Sequence, residues 1–580
     1  MKKNKPSGIL RLASLMRPHA GKLLICLFCV LCVNLAELLK PLVAAVVIDD
    51  FLKGSKAQQG IWSITGMGVS YLLIVLFSSA FSVTETRLIA RVSQAILHKM
   101  RLLVFDKILH MPMETMDSYG TGRLITRATN DVETVNEFYS DVFLNLFKDV
   151  TLLVGIVVVM VLLNPVLAAA ACTGIPLIIL LVFCLKKVIR RNFQRMKRII
   201  GQINGFFAEN VAGMRIVQAF NRQREKMAEF RVLNKAYYKA ARVQILLNSI
   251  LRPSMEVINS LVIAVLVLVG YRLLGGKSGL EVGVLYAFTN YAKQFFEPIN
   301  DLAEKYTTVQ SALVSTERIY EILDDPRTED PAAGEKDGPV FGEIEFRDVW
   351  FAYNEGEWVL KGVSFRIERG QRAAFVGATG AGKTTIISLI ARYYNAQKGQ
   401  ILIDGVPIEN WALHDLRRGV VTVLQDVFLF TGDVRENIDM HAGVSDDEID
   451  AALETACASD FVEELGGMHA PVTEQGLNLS TGQRQLLSFA RAVAAKPAIL
   501  VLDEATAHVD TVTEATLRQA IETISRGRTC VYIAHRLSTI RDCDVIFVMD
   551  HGEICETGDH RSLVERGGMY AELVRAETEI

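Results

Sequence analysis

A bundle of six membrane-spanning α-helices followed by a water-soluble α/β domain is the fold class this 580-residue sequence predicts, and three observations predict it. Six apolar stretches long enough to cross a bilayer fill the first 310 residues. Apolar residues make up 50% and charged residues 22%, at a mean hydropathy of +0.26, a balance that belongs to a membrane and soluble hybrid. Past residue 340, short apolar strands alternate with helices, as in a domain built from βαβ units. The 62 Lys and Arg against 65 Asp and Glu leave a charge of −3, so general polyanion binding is excluded and nucleic acid is not an expected partner. The same composition excludes disorder and a small disulfide scaffold.

The spans fall near 22–47, 61–83, 142–163, 166–185, 249–274 and 280–303. Each satisfies the ~17–25 apolar residues a hydrocarbon core demands. Only Asn164-Pro165 separates the third from the fourth. A single helix over 150–185 would be about 54 Å long, too long for one crossing, and proline with its predecessor disfavours helix, so two spans and a tight turn are expected. The first span follows Lys2, Lys3, Lys5, Arg11 and Arg17 without a convincing cleavage site, and is expected to be an uncleaved anchor. Cys26, Cys29 and Cys32 form a C-x2-C-x2-C run, but Ala36 stands where an iron–sulfur run would continue, so they are read as small apolar helix residues.

Charge orients the bundle. Residues 186–242 carry fifteen Lys or Arg against three acids, Glu209, Glu225 and Glu229, whereas the turn at 164–165 carries none. Positive charge marks the cytoplasmic side, so both termini and both long loops, 84–141 and 186–242, are expected in the cytoplasm of a cell whose inner membrane the chain spans. The loops keep helical spacing and are expected to continue the membrane helices outward. Glu37, Glu256, Asn259, Asn290 and Lys293 lie within spans, where polar groups usually face a bundle interior or an aqueous cavity, and are candidates to line a substrate path. Glu37 and Lys40, three residues apart, equally suit an ion pair with one another.

The expected domains are a cytoplasmic segment at 1–20, the membrane domain at 21–310, a helix end and linker at 311–340 rich in acid, Pro and Gly, and an α/β domain at 341–580. In that last domain Gly377, Ala378, Thr379, Gly380, Ala381, Gly382, Lys383 and Thr384 match G-x4-G-K-[ST] after an expected strand, 373–376, and before an expected helix, 384–394. Glycines let backbone N–H groups wrap phosphate oxygens, Lys383 reaches the terminal phosphates and Thr384 serves Mg2+. A second expected strand, 499–502, delivers Asp503 for the metal and Glu504 to polarise a water. Gln425 and His535 stand at the ends of two further expected strands, where ligands bind in α/β folds.

Leu479-Ser480-Thr481-Gly482-Gln483, followed by Arg484-Gln485-Leu486, resembles the signature motif of ABC transporter ATPases. The chain order of Tyr353, the phosphate loop, Gln425, Glu474, the signature, Asp503-Glu504, Asp510 and His535 is similar to that family's over the whole C-terminal domain. Six spans with two long cytoplasmic extensions resemble its exporter-type half-transporters, and 118–131 and 209–220 resemble its coupling regions. The resemblance implies an ATPase using ATP and Mg2+ as part of a two-chain exporter of amphipathic small molecules. In that frame Tyr353 stacks on adenine and Thr385 joins the ATP-binding loop. Glu504 is general base, His535 bridges it to the γ-phosphate, and Gln425 contacts Mg2+. Ser480, Thr481, Gly482 and Gln483 serve the ATP of an opposing chain. Other readings of the same resemblance are an ATP-gated channel, a regulatory ABC protein and a homodimeric lipid or peptide exporter.

Thr481 replaces the first glycine of LSGGQ, and Ala507-His508-Val509-Asp510 replaces the commoner Ser-Ala-Leu-Asp. Glycine permits close approach and backbone angles that a β-branched residue resists. An altered signature beside an intact Lys383, Asp503, Glu504 and His535 set implies a heterodimer with unequal ATP sites. The segments LSTGQRQLLSFARA and DEATAHVD resemble the catalytic-glutamate subunit of heterodimeric bacterial multidrug exporters.

Overall fold

The structure, a computed structural model, describes residues 8–52, 64–274, 280–330, 334–354, 356–503, 511–533 and 540–578. It divides into two compact units, Met1–Phe105 with Ile125–Asp324, and Asp106–Leu124 with Asp325–Ile580.

The first unit is helical. Its segments are α1 (Gly8–Met16), α2 (Ala20–Val47), α3 (Ile64–Leu109), which runs on into the second unit, α5 (Thr121–Leu163), α6 (Pro165–Cys172), α7 (Gly174–Ala212), α8 (Met214–Ala219), α9 (Gln223–Leu274) and α10 (Val282–Leu323); the short α4 (Met113–Tyr119) belongs to the second unit. Among the described residues four helical segments are long and apolar enough to cross a membrane: Gly8–Asp50, Ile64–Leu109, Thr121–Leu163 and Gln223–Leu273. The stretch expected as the fourth span is interrupted at Thr173, between α6 and α7, and the one expected as the sixth falls on α10, which carries Lys293, Glu297 and Asp301. The helical continuation of the spans is present: α3 runs 46 residues unbroken, and α7 and α9 run 39 and 52.

The Asn-Pro turn forms as its chemistry requires. Asn164 leaves the helical region, and its Oδ1 accepts from the N–H groups of Val166 and Leu167 at 3.0 and 3.1 Å, capping the helix that Pro165 opens. The bundle core gathers Ile156, Leu167, Leu266, Phe288 and Tyr291. Hydrogen bonds then fix helix against helix, since lipid supplies no water to compete for them. Asn34 Nδ2 donates to the Lys148 carbonyl at 2.9 Å and to Thr151 Oγ1 at 2.6 Å, and the Gly283 N–H donates to Asp49 Oδ1 at 2.7 Å. Gly283 is obligatory there, because a Cβ would stand 2.1 Å from the Ala45 carbonyl oxygen. Two π-helical turns, Arg127–Asp131 and Phe138–Phe143, interrupt α5. The first aims Asp131 inward, where it accepts from Ser315 Oγ at 2.9 Å and pairs with Arg127 at 2.7 Å.

In the second unit, an antiparallel sheet of β1 (Ile344–Ala352), β2 (Trp358–Ile367), β4 (Lys398–Ile403) and β5 (Val406–Pro407) has the order β2-β1-β4-β5. A larger sheet contains β3 (Arg372–Gly377), β6 (Val420–Val423), β9 (Ile499–Asp503), β10 (Thr529–Ile533), β11 (Val545–Asp550) and β12 (Glu553–Gly558). Its order is β12-β11-β3-β10-β9-β6, parallel except for β12. The short strands β7 (Gly432–Asp433) and β8 (Pro471–Val472) pair antiparallel with one another. Alternation along β3 separates two cores. Ala373 and Phe375 pack with Phe346 of β1 and the other residues of the antiparallel sheet, and Ala374 and Val376 with Leu486, Phe489 and Ala490. The helix after the phosphate loop, α11 (Lys383–Ile390), ends four residues before the expected Tyr394, because Arg392 turns to a positive φ of 49°.

Candidate nucleotide site and coupling elements

Parallel pairing brings the C-terminal ends of β3, β9 and β10 level, with Phe375 opposite Ile533 and Ile533 opposite Asp503. The phosphate loop leaves β3 at Gly377, whose φ is 147° and whose Cβ would stand 2.1 Å from the Met549 carbonyl oxygen; Gly382, at φ 103°, would press on Leu360 at 2.7 Å. These glycines let the loop lie flat on its neighbours and turn into α11, while Gly380 at the crest has open space around it.

Lys383 opens α11 and is buried, its Nζ donating to the carbonyls of Gly377 at 2.7 Å and Ala378 at 3.1 Å. Burial lowers its pKa, and Asp503 opposes the shift. Asp503 at the end of β9 is buried too; burial raises its carboxyl, and Lys383 pulls it back. The exposed Thr384, the buried Thr385 and the glycine crest complete a donor set suited to a triphosphate and a hard divalent cation. Tyr353, half exposed, reaches Thr385 Oγ1 from its hydroxyl at 3.3 Å. Glu504 and His535 follow β9 and β10 and lie outside the described residues, as does Asp510.

The signature segment opens another helix. Ser480 caps α12 (Thr481–Ala494) through a reciprocal box in which Ser480 Oγ accepts from the Gln483 N–H at 3.2 Å and Gln483 Oε1 accepts from the Ser480 N–H at 2.9 Å. The S-x-x-Q spacing foretells that box. The helix overturns the expectation that a β-branched residue would resist the backbone angles here. Thr481 is the first residue of a regular helix and has no positive φ, so its backbone is unstrained. Its Oγ1 accepts from Arg484 Nη2 at 3.2 Å, and Gly482 is buried in the same turn. Gln425, Thr481, Arg484 and Gln485 line a cleft of ≈ 350 Å3, so Gln425 neighbours the signature helix in this chain.

Sequence reasoning missed Tyr394 and Asp117. The Tyr394 hydroxyl donates to the Asp117 carboxylate on α4, and its ring stands edge-on to Tyr353, centroids 5.2 Å apart. Burial, then Asp117, raise the Tyr394 pKa, so the hydroxyl remains a donor. The same segment is tied down where the Glu329 N–H donates to the His110 carbonyl at 2.8 Å, and Glu329 is gripped by both terminal nitrogens of Arg417 at 2.8 and 3.1 Å. No motif marks the Tyr394 contact, because it joins residues 277 apart in sequence.

Of the candidate path residues, Glu37 pairs with Lys40 at 2.6 Å within its own helix. Asn290 Nδ2 donates to the Tyr286 carbonyl at 3.0 Å, and Asn259 Oδ1 is buried without a hydrogen-bond partner among the described residues. Lys293 is exposed, and Glu256 is exposed in a shallow recess with Pro253 and Ser260.

Comparisons agree with this architecture. Residues 23–299 match the ABC transporter transmembrane region and residues 360–507 the ABC transporter family. The chain is similar to the uncharacterized ABC transporter ATP-binding protein YknV of Bacillus subtilis, 36% identical over 98% of this chain and 94% of that one. It is also similar to the probable multidrug resistance ABC transporter ATP-binding/permease protein YheH of the same organism, 38% identical over 86% of this chain and 75% of that one. An ATP-dependent lipid A-core flippase of Aromatoleum aromaticum is 33% identical over 97% of this chain and 95% of its own. A solved bacterial Atm1-family ABC exporter with ATP bound matches at a TM-score of 0.77 and 27% identity, covering 97% of this chain and 99% of that one. The chain belongs to the ABC transporters. It is an exporter-type half-transporter, embedded in the membrane, whose ATP hydrolysis is coupled to transport.

Proposed function

We propose that this chain is the hydrolytically equipped half of a heterodimeric multidrug or lipid-like exporter of the cytoplasmic membrane. The observation that carries the reading is the pairing of a complete phosphate loop, Lys383 and Asp503 with a signature segment altered at Thr481. Residues 377–385 and Tyr353 hold the nucleotide, and Thr384, Asp503 and Gln425 serve Mg2+, which when bound neutralises phosphate charge. Glu504 takes the proton of the attacking water, and His535 bridges Glu504 and the γ-phosphate. Ser480, Thr481, Gly482 and Gln483 face the partner chain's ATP. Relatives named for multidrug resistance and lipid A-core flipping support an amphipathic cargo.

The second coupling segment supports a two-chain assembly. Val211, Ile216 and Phe220, around α8, are 66%, 65% and 73% exposed, an apolar tip that needs a partner surface. The test is transport into inside-out vesicles with a panel of cationic, neutral and lipid-like amphiphiles. ATP-dependent accumulation that depends on Glu504 is expected; ATP-dependent passive ion current without accumulation would favour a gated channel.

A further inference from the structure

We propose that the membrane-proximal ends of α7 and α9 form a binding surface for the headgroups of anionic phospholipids. The two helices run antiparallel, and their register is fixed by Asn192 Nδ2, which donates to the Ala240 carbonyl at 2.9 Å and to Gln244 Oε1 at 3.0 Å. That register sets Arg191 and Arg242 at one level. Lys187, Arg190 and Arg191 lie within about 10 Å of the end of the apolar run at Leu185, counted along the helix, and Arg242 lies about 10 Å before the span expected at 249–274. Headgroups occupy that depth. All four side chains are exposed and have no hydrogen-bond or ion-pair partner among the described residues.

Orientation of the spans accounts for Lys and Arg here but is nearly indifferent to Asp and Glu, so it leaves the lack of acids unexplained. No acid occurs from Lys186 to Ala208 on α7, nor from Phe230 to Met255 on α9. At 1.5 Å per residue, Glu209 is about 27 Å from Arg191 and Glu229 about 20 Å from Arg242 along the helices. Both exceed the ~8 Å screening length of physiological salt. The distal end of α9 is built differently: Arg222, just before the helix, pairs with Glu225 at 2.9 Å, and Lys226 pairs with Glu229 at 3.0 Å. Acids therefore stand among the cations at the distal end of this helix and are missing from its membrane-proximal end, the arrangement that draws anionic lipid.

The test uses the purified two-chain complex in nanodiscs of equal parts phosphatidylglycerol and phosphatidylethanolamine, with retained lipid measured by mass spectrometry. Wild type is expected to enrich phosphatidylglycerol at least about threefold over the bulk ratio, and K187Q/R190Q/R191Q/R242Q to return it to bulk. R195Q/K197Q/R198Q, farther from the apolar run, is expected to keep the enrichment. Raising salt to about 0.5 M should abolish it in the wild type, a measurement that needs no variant to fold. Equal enrichment in wild type and the quadruple variant, or enrichment indifferent to salt, would overturn the proposal.

Discussion

Lys383 at the start of α11 and Asp503 at the end of β9 are two buried opposite charges, each moved toward its neutral form by burial and each drawn back by the other. Removing one leaves its partner buried and uncompensated, so Lys383→Ala is expected to weaken ATP binding, as equilibrium binding of a fluorescent ATP analogue would measure. Glu504→Gln acts later. The amide keeps the shape of the side chain but cannot take a proton, so steady-state ATPase should fall by about 10²–10⁴-fold while nucleotide is still bound. ATPase near wild type would remove Glu504 from the role of base. The phosphate loop was legible in the sequence because its chemistry constrains the backbone itself: Gly377 and Gly382 adopt positive φ against neighbours that leave no room for a Cβ. Tyr394 was not legible, since a tyrosine between two rings and a distant carboxylate follows no local spacing.

At the scale of elements, α4 belongs with the ATPase domain although membrane helices flank it in sequence. Tyr394 touches both the expected adenine-stacking residue, Tyr353, and Asp117 of α4. Tyr394→Phe keeps the ring and deletes the hydroxyl, so ATP affinity should hold while substrate moved per ATP hydrolysed declines, measured side by side in proteoliposomes. A proportional fall of both rates would deny the contact a coupling role. In the bundle, Gly283→Ala forces a methyl to within 2.1 Å of the Ala45 carbonyl oxygen and 2.4 Å of Asp49 Oδ2. The expected cost is about 1–3 kcal/mol, visible as a lower midpoint of thermal unfolding in detergent. Helical continuity beyond the spans was readable from periodicity in α3, α7 and α9. The early end of α11 was not, because Arg392 reaches its positive φ without the glycine that would have announced it.

At the scale of the whole molecule, a half-transporter needs a second chain to complete its ATP sites. Thr481 sits in ordinary helical geometry, so the case for an unequal pair rests on what its side chain presents. A glycine there would expose only backbone N–H groups at a helix N-terminus, where a phosphate binds. Thr481 adds a methyl, and a hydroxyl already engaged by Arg484 at 3.2 Å. The surface proposed to face an opposing γ-phosphate is therefore bulkier than one with glycine. In a homodimer, both sites would combine the complete Lys383 and Asp503 set with this altered surface, and both would lose rate. A partner with a standard signature would restore one site, and the other would chiefly hold ATP. Native mass spectrometry of the complex from its own membranes is expected to give one 64.3 kDa chain with one chain of different mass. Within that complex Thr481→Gly should raise turnover at the slower site without changing the faster one, followed by trapping of labelled nucleotide. Two identical chains with equal trapping at both sites would refute the heterodimer.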